Sequence, residues 1–119
     1  MRRIVLSACA IAIVLAVTSP AVAASVILQG LDKVTARVST IEAPIDRPVR
    51  FGTLIITVRT CNKRPPEEPP ESAAFLEINE EKPGEPASHL FTGWMFASSP
   101  ALNALQHPVY DVWVKDCKL

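Results

Sequence analysis

Much of the chain between residues 24 and 119 alternates apolar and polar side chains with the two-residue period of a β-strand. Residues 33–42 show this pattern, with Val34, Ala36 and Val38 expected on one face and charged or hydroxyl side chains on the other. Such alternation predicts a strand with one buried and one wet face.

The strongest predicted strand spans residues 54–61, which are rich in β-branched side chains. The last predicted strand spans residues 109–117. Strict alternation would put Cys61 and Cys117 on the more polar faces of these two strands. We therefore expect any bridge between them near a sheet surface or at a bulge.

Shorter apolar runs predict the remaining strands, at residues 26–29, 49–51, 73–78 and 90–97. Residues 63–71 hold four prolines and three glutamates after two basic residues, which predicts an extended, exposed loop. Ser99 and Pro100 match the start of a helix and predict one helical turn within residues 99–106. The expected fold is all-β: a small antiparallel sandwich or partly open barrel of five to seven strands, forming a single domain over residues 24–119.

The first 23 residues have the features of a secretory signal peptide. Arg2 and Arg3 precede an apolar stretch at residues 4–17, and small residues at Ala21 and Ala23 suit signal peptidase. Cleavage is expected after Ala23 or Ala24, with the mature protein in the periplasm. The alternative is a membrane anchor, but fourteen apolar residues span only about 21 Å as a helix, short of a bilayer core of about 30 Å.

The balance of charged residues bears on the class of partner the protein could bind. The chain holds 12 basic and 12 acidic residues, so nothing indicates a nucleic-acid partner. Residues 24–64 carry seven basic and three acidic side chains, whereas residues 65–119 carry three and nine. The two halves are expected to neutralise each other within one domain. An acidic surface for a partner is the alternative.

Two cysteines remain after the predicted cleavage, Cys61 and Cys117. An exported pair predicts a disulfide. The alternative is a reactive thiol, but the chain has no Cys-x-x-Cys motif and neither cysteine has a histidine next to it in sequence.

Evidence for catalysis is weak. Ser98, Ser99, His107 and Asp111 are residue types of a catalytic triad, but no Gly-x-Ser-x-Gly motif accompanies them. The glutamate pairs at 67–68 and 80–81 are expected to be solvated charges. His89 and His107 are too few for a metal site, and no metal or cofactor is predicted.

Aromatic side chains concentrate in the last third of the chain. Trp94, Phe96, Tyr110 and Trp113 form a candidate binding patch, because tryptophan and tyrosine are enriched at interfaces. The alternative is that these residues belong to the core. The proline-rich segment at residues 63–71 is a second candidate docking element, or simply a stiff loop.

Four segments carry a family resemblance: VRFGTL, RTCNKRPPEEPPESAAFL, GWMFASSPAL and HPVYDVWV, at residues 49–54, 59–76, 93–102 and 107–114. They resemble the domain-of-unknown-function family 2155, exported proteins of alphaproteobacteria. The resemblance covers about residues 28–117. The resemblance implies a Gram-negative periplasmic location and is consistent with the presence of the two cysteines. It implies no known activity and no catalytic residues.

The leading hypothesis is therefore a non-enzymatic periplasmic domain that binds a protein or an envelope component. The first alternative is an accessory subunit on the periplasmic face of an inner-membrane complex, such as a respiratory one. The second is a small hydrolase that uses Ser98 or Ser99.

Overall fold

The structure, a computed structural model, describes Ile13 and residues 24–119. The predicted signal peptide, and any helix within it, otherwise lies outside these residues. The described chain forms seven strands: β1 (Ser25–Asp32), β2 (Arg37–Pro44), β3 (Val49–Phe51), β4 (Leu54–Lys63), β5 (Ser72–Glu80), β6 (Ser88–Phe96) and β7 (Tyr110–Lys118).

These strands form two antiparallel sheets, which confirms the all-β class. The first sheet has the order β2-β1-β7, and the second is a meander with the order β3-β4-β5-β6. Within residues 24–119 neither sheet closes into a barrel, so the sandwich alternative is the observed one. No helix in the described part of the chain has the length and apolar character needed to cross a bilayer.

The core lies between the sheets. It is built from alternate side chains of strands in both sheets, as the two-residue period requires. The first sheet contributes Val26, Leu28, Ala43, Val112 and Val114, and the second contributes Leu54, Ile56, Val58, Ala74, Leu76, Ile78 and Met95. Leu105, from the connection between β6 and β7, completes the cluster.

The predicted strand at residues 33–42 is shorter than expected, because residues 33–36 form the turn between β1 and β2. The Asp32 carboxylate accepts hydrogen bonds from the backbone N–H groups of Val34 and Thr35, and Ala36 has a φ of 58°. Aspartate side chains favour such turns. Val34 is consequently 78% exposed, Ala36 is exposed, and Val38 in β2 is 56% exposed. The prediction that these three side chains share a buried face was therefore wrong.

The helical turn predicted within residues 99–106 is absent from the structure. Leu102 N–H donates to the Ser99 carbonyl in a single turn, and no helix follows. The segment instead crosses from one sheet to the other. Leu105 anchors this segment, because its side chain is buried in the core.

Two bulges reverse the predicted orientation of the cysteines. The β4–β5 pairing passes from Val58 to Thr60, which leaves Arg59 as the extra residue, and the β1–β7 pairing skips Lys115 in the same way. One extra residue moves every later side chain to the opposite face. Cys61 therefore pairs with buried Ala74, and Cys117 is itself buried at 3% exposure.

Cys61 and Cys117 are bonded between the two sheets, with their Cα atoms 5.8 Å apart. The bridge was expected near a sheet surface or at a bulge, and each cysteine lies two residues after a bulge residue, Arg59 or Lys115. The sheet-surface alternative was wrong, because strict alternation takes no account of the bulges. The bridge instead links β4 to β7 at the edge of the core.

The two halves of the chain meet in both sheets, since β1 pairs with β7 and β4 pairs with β5. Their opposite charges pair across this division in Lys33–Asp111, Arg50–Glu81, Arg59–Glu77, Lys63–Asp116 and Lys118–Glu42. The structure thus agrees with mutual neutralisation. Each exposed pair contributes only about 0–1 kcal/mol.

Candidate functional site

A cavity lies where the proline-rich loop meets the ends of β6 and β7, and we call it the proline groove. Its volume is about 530 Å³, within the range of roughly 300–1,000 Å³ typical of ligand sites. It is lined by Lys63, Arg64, Pro65, Pro66, Glu68, Pro70, Glu71, Ser72, Ala97, Ser98, Lys115 and Asp116.

One wall of the groove is the predicted loop, which the structure places between β4 and β5. Arg64 N–H donates to the Glu71 carbonyl at 3.0 Å, and Glu68 N–H donates to the Pro65 carbonyl at 3.0 Å. These bonds close the loop at its base and tighten it at its tip. The proline rings have little conformational freedom to lose, so the wall is stiff.

Glu71 joins this loop to the segment that follows β6. Its Oε1 accepts hydrogen bonds from the N–H groups of Ser72 and Ser98 at 3.1 Å each, and its Oε2 accepts one from Ser98 Oγ. The hydrogen bond from the Ser98 hydroxyl is the main cause that lowers the pKa of Glu71. Glu71 is therefore an ionised structural group of the groove.

Asp116 plays the same part on the opposite wall. Its Oδ1 accepts from Lys63 Nζ at 3.0 Å, Ser72 Oγ at 3.2 Å and Cys117 N–H at 2.9 Å. Lys63 is the main cause that lowers the pKa of Asp116. These bonds tie β7 to β4 and β5 beside the disulfide, so the two walls are fixed relative to each other.

Two cations of the groove stay uncommitted. Arg64 and Lys115 are exposed, and among the described residues neither side chain makes a hydrogen bond or a close ion pair, although the charge of Arg64 helps to lower the pKa of Glu71. Lys115 is the bulge residue of β7. Simple alternation gave no reason to single it out. The one sequence signal is the adjacent charged pair Lys115-Asp116, which breaks the alternation.

A second cavity of about 380 Å³ adjoins the groove and shares Lys63, Arg64, Pro65 and Glu71 with it. It adds Asn62, Ala73 and Phe96. Ala73 pairs with Phe96 between β5 and β6, and the next pair on the same face of the sheet is Phe75 with Trp94. The groove therefore continues onto an aromatic surface on the outer face of the second sheet.

The four aromatic residues of the predicted patch lie on different surfaces. Trp94 and Phe96 share the outer face of the second sheet, where Trp94 meets Phe75 edge-on at 5.6 Å between ring centroids. Tyr110 packs against Phe51 and His107, each at 5.2 Å. Trp113 pairs with Gln29 in the first sheet. Only Trp94 and Phe96 adjoin each other.

His107 and Glu80 form a buried pair that the sequence pattern did not indicate. Glu80 Oε2 accepts from His107 Nε2 at 2.7 Å and from Thr53 Oγ at 2.8 Å. The Thr53 hydroxyl is the main cause that lowers the pKa of Glu80. His107 Nδ1 in turn accepts the N–H groups of Val109 and Tyr110. Glu80 was predicted to be a solvated charge, and this was wrong because it is only 7% exposed.

The residues of the candidate triad have separate partners. Ser98 Oγ donates to Glu71, Asp111 forms an ion pair with Lys33 at 2.9 Å, and His107 faces Glu80. Ser99 contributes its carbonyl to the turn with Leu102. The structure does not assemble these groups into the hydrogen-bonded series that a triad requires.

Comparison with known proteins gives a family match. A family described as "Uncharacterized protein conserved in bacteria (DUF2155)" matches residues 26–117. An uncharacterized protein of Rickettsia prowazekii (strain Madrid E) is 32% identical over 87 residues, which are 73% of this chain and 56% of that protein. The chain thus spans little more than half the length of this relative. No solved structure matches the chain.

Proposed function

Because the chain belongs to the DUF2155 family of uncharacterized bacterial proteins, we propose a function from its own geometry. It is an exported, non-enzymatic binding domain of the periplasm, and the proline groove holds a protein partner of the cell envelope.

The observation that carries this proposal is the difference in hydrogen bonding between the acidic and basic side chains of the groove. The carboxylates of Glu71 and Asp116 accept hydrogen bonds from donors of the protein itself. Arg64 and Lys115 have no hydrogen-bond or close ion-pair partner among the described residues, although they line the same cavity. A cleft whose two walls are held by internal hydrogen bonds is suited to binding, since little ordering of its backbone is needed when a ligand arrives.

Export is supported by the predicted signal peptide and by the cysteine pair at bonding distance. Fractionation of the native organism tests it directly. We expect the protein in the periplasmic fraction, with its N-terminus at residue 24 or 25 and with Cys61 and Cys117 oxidised. A cytoplasmic protein that retains residues 1–23 would contradict this part of the proposal.

The binding role is tested by photo-crosslinking in living cells. A benzoylphenylalanine is placed at Pro66 or Glu68, which line the groove, and at Glu85, an exposed control in the connection between β5 and β6. We expect one and the same envelope protein to be attached at both groove positions through a single segment, mapped by mass spectrometry, and not at Glu85.

The alternatives give different results. If no adduct forms at either groove position, or if the pattern is the same at Glu85, the groove is not the binding site. If the adduct migrates with a large inner-membrane assembly on a native gel, the partner belongs to such a complex. That result would support the accessory-subunit hypothesis.

A further inference from the structure

We infer that the crossing segment, residues 97–109 between β6 and β7, is a strap that acid releases from the domain. Two glutamates at opposite ends of β5 hold it near neutral pH, and their protonation lets it open while the two disulfide-linked sheets stay folded. The inference concerns the chain itself and does not depend on the proposed binding function. It rests on how this segment, which contains no helix or strand, is attached to the rest of the domain.

Glu71 and Glu80 hold the two ends of the segment. Glu71 immediately precedes β5, and its carboxylate accepts hydrogen bonds from the Ser98 N–H at 3.1 Å and from the Ser98 hydroxyl. Glu80 is the last residue of β5, and its Oε2 accepts from His107 Nε2 at 2.7 Å. Because β5 is paired on both sides, with β4 and with β6, both carboxylates project from a firmly held strand.

Between these two contacts the segment is held mainly by one side chain. Residues 100–104 are exposed, and the Leu102 N–H donates only within the segment, to the Ser99 carbonyl. Leu105 alone among residues 97–109 is buried in the core, and it opposes opening because its side chain would then meet water. Opening of the segment therefore disrupts far fewer contacts than unfolding of either sheet.

Two backbone hydrogen bonds mark the hinges of the strap. The Ala97 N–H donates to the Ser72 carbonyl at 2.9 Å, and the Lys33 N–H donates to the Val109 carbonyl at 2.8 Å. Neither bond involves a group that titrates, so both persist in acid. The opening is therefore confined to residues 98–108.

Acid weakens both carboxylate contacts. Hydrogen bonds, chiefly from the Ser98 hydroxyl to Glu71 and from the Thr53 hydroxyl to Glu80, lower the pKa of each glutamate below its ordinary value of 4.5. Both contacts are thus fully formed above pH 4.5 and are lost as the pH falls through the lower, folded values. A protonated carboxyl accepts weaker hydrogen bonds, because the charge that strengthened them is gone.

His107 responds to acid at the same end of the segment. Its Nδ1 accepts the N–H groups of Val109 and Tyr110 at 3.0 and 3.2 Å, so a proton binds there only if both donors are displaced. An imidazolium still attracts Glu80 while that carboxylate is ionised. This end of the segment therefore opens once Glu80 is protonated as well.

The basic groups around the two glutamates do not reverse this response, since lysine and arginine keep their charge from pH 7 to pH 3. Lys82 Nζ lies 3.7 Å from Glu80, and Lys33 Nζ donates to the His107 carbonyl at 2.9 Å while it pairs with Asp111. Beside Glu80, Arg50 and Glu81 pair with each other.

The charged groups near the other end belong to the proline groove. Arg64 acts on Glu71 through its charge. The remaining charged residues that line the groove make no hydrogen bond or ion pair with residues 97–109, and these are Lys63, Glu68, Lys115 and Asp116. Ala97 and Ser98 themselves line the groove, so release of the segment also removes part of one wall.

Amide hydrogen exchange, resolved by residue with NMR on the oxidised mature chain of residues 24–119, tests the strap. Each exchange rate is divided by the intrinsic rate at the same pH. We expect the protection of the Ser98, Val109 and Tyr110 amides to fall about tenfold or more between pH 6 and pH 3. The protection of amides within β4 and β5 should change much less over this range.

Matched variants locate the cause. Glu71→Gln/Glu80→Gln places neutral groups at both contacts, and we expect it to show at pH 6 the fast exchange that the wild type shows at pH 3, with little further change in acid. The control Glu77→Gln/Glu81→Gln removes the same charge from exposed carboxylates that pair with Arg59 and Arg50. It should exchange as the wild type does.

Three results would overturn the inference: equal loss of protection in the segment and in β4 and β5, an acid response of the double variant as large as that of the wild type, or equal exchange in the double variant and the control. If the double variant does not fold, Glu71→Gln alone decides together with the wild-type pH series. Faster exchange of Ser98 at pH 6 in that single variant supports the strap, and unchanged exchange contradicts it.

Discussion

Glu80 Oε2 lies 2.7 Å from His107 Nε2, and both side chains are less than a tenth exposed. This pair connects the end of β5 to the crossing segment that precedes β7. His107 also accepts two backbone N–H groups, so a single imidazole fixes the entry to the last strand.

Replacing His107 is expected to destabilise the fold. His107→Leu leaves two backbone N–H groups and one lone pair of Glu80 without their partner, which costs roughly 1–3 kcal/mol for each buried polar group left unpaired. Urea denaturation of the mature chain measures the free energy of unfolding. His89→Leu is the control, because His89 is exposed and bonds only to exposed Asn79 and Thr92. Equal losses in the two variants would contradict the role assigned to His107.

Acid is expected to weaken the fold through Glu80. Its folded pKa is lowered below the ordinary value of 4.5, so the ionised form stabilises the native state. This contribution is fully present above pH 4.5 and is lost as the pH falls through the lower, folded value. The Glu80→Gln variant should therefore lose less stability than the wild type between pH 7 and pH 3, as measured by urea denaturation. If the free energies of unfolding of the variant and the wild type fall in parallel with pH, Glu80 does not contribute to the acid sensitivity.

Removing the disulfide is expected to destabilise the domain. The bridge closes a separation of 56 residues, and loss of a native bridge in a small domain costs about 2–5 kcal/mol. The double variant Cys61→Ala/Cys117→Ala should show this loss in urea denaturation. Reduced wild type provides the comparison, and a shift of under about 0.5 kcal/mol in both would show that the bridge contributes little.

Gly30 in the first sheet faces the ring of Phe51 in the second. A Cβ at Gly30 would overlap that ring. Gly30→Ala should therefore cost about 1–3 kcal/mol in the free energy of unfolding, measured by thermal denaturation. Phe51→Leu should recover part of this loss when it is combined with Gly30→Ala, and an equal loss with and without Phe51→Leu would refute the assignment.

Local patterns predicted most of the strands, since alternation and β-branched runs reflect the two faces of a strand directly. The runs at residues 49–51, 54–61 and 73–78 lie within β3, β4 and β5. The first strand was predicted to end at residue 29, but β1 continues through Gly30 to Asp32, and the absent side chain of Gly30 makes room for Phe51.

The groove could be predicted only in part. The proline-rich loop was a candidate docking element from its composition, and it forms one wall. Lys115 could not be identified, because a bulge depends on pairing with a distant strand rather than on the residues beside it. Glu80 was misjudged for a similar reason: its neighbours Glu81 and Lys82 are exposed, and only the long-range contact with His107 and Thr53 buries it.

The neighbouring positions of β1 and β7 bear on the order in which the domain can fold. Ser25 pairs with Lys118, so the central strand of the first sheet lacks one neighbour until the last strand arrives. Before that, β1 and β2 form only a hairpin, which is marginally stable alone in water. Pairing over such sequence distances is slow to form. A chain that emerges from its N-terminal end therefore completes this sheet, and the covalent link through Cys117, only after the residues of β7 have emerged.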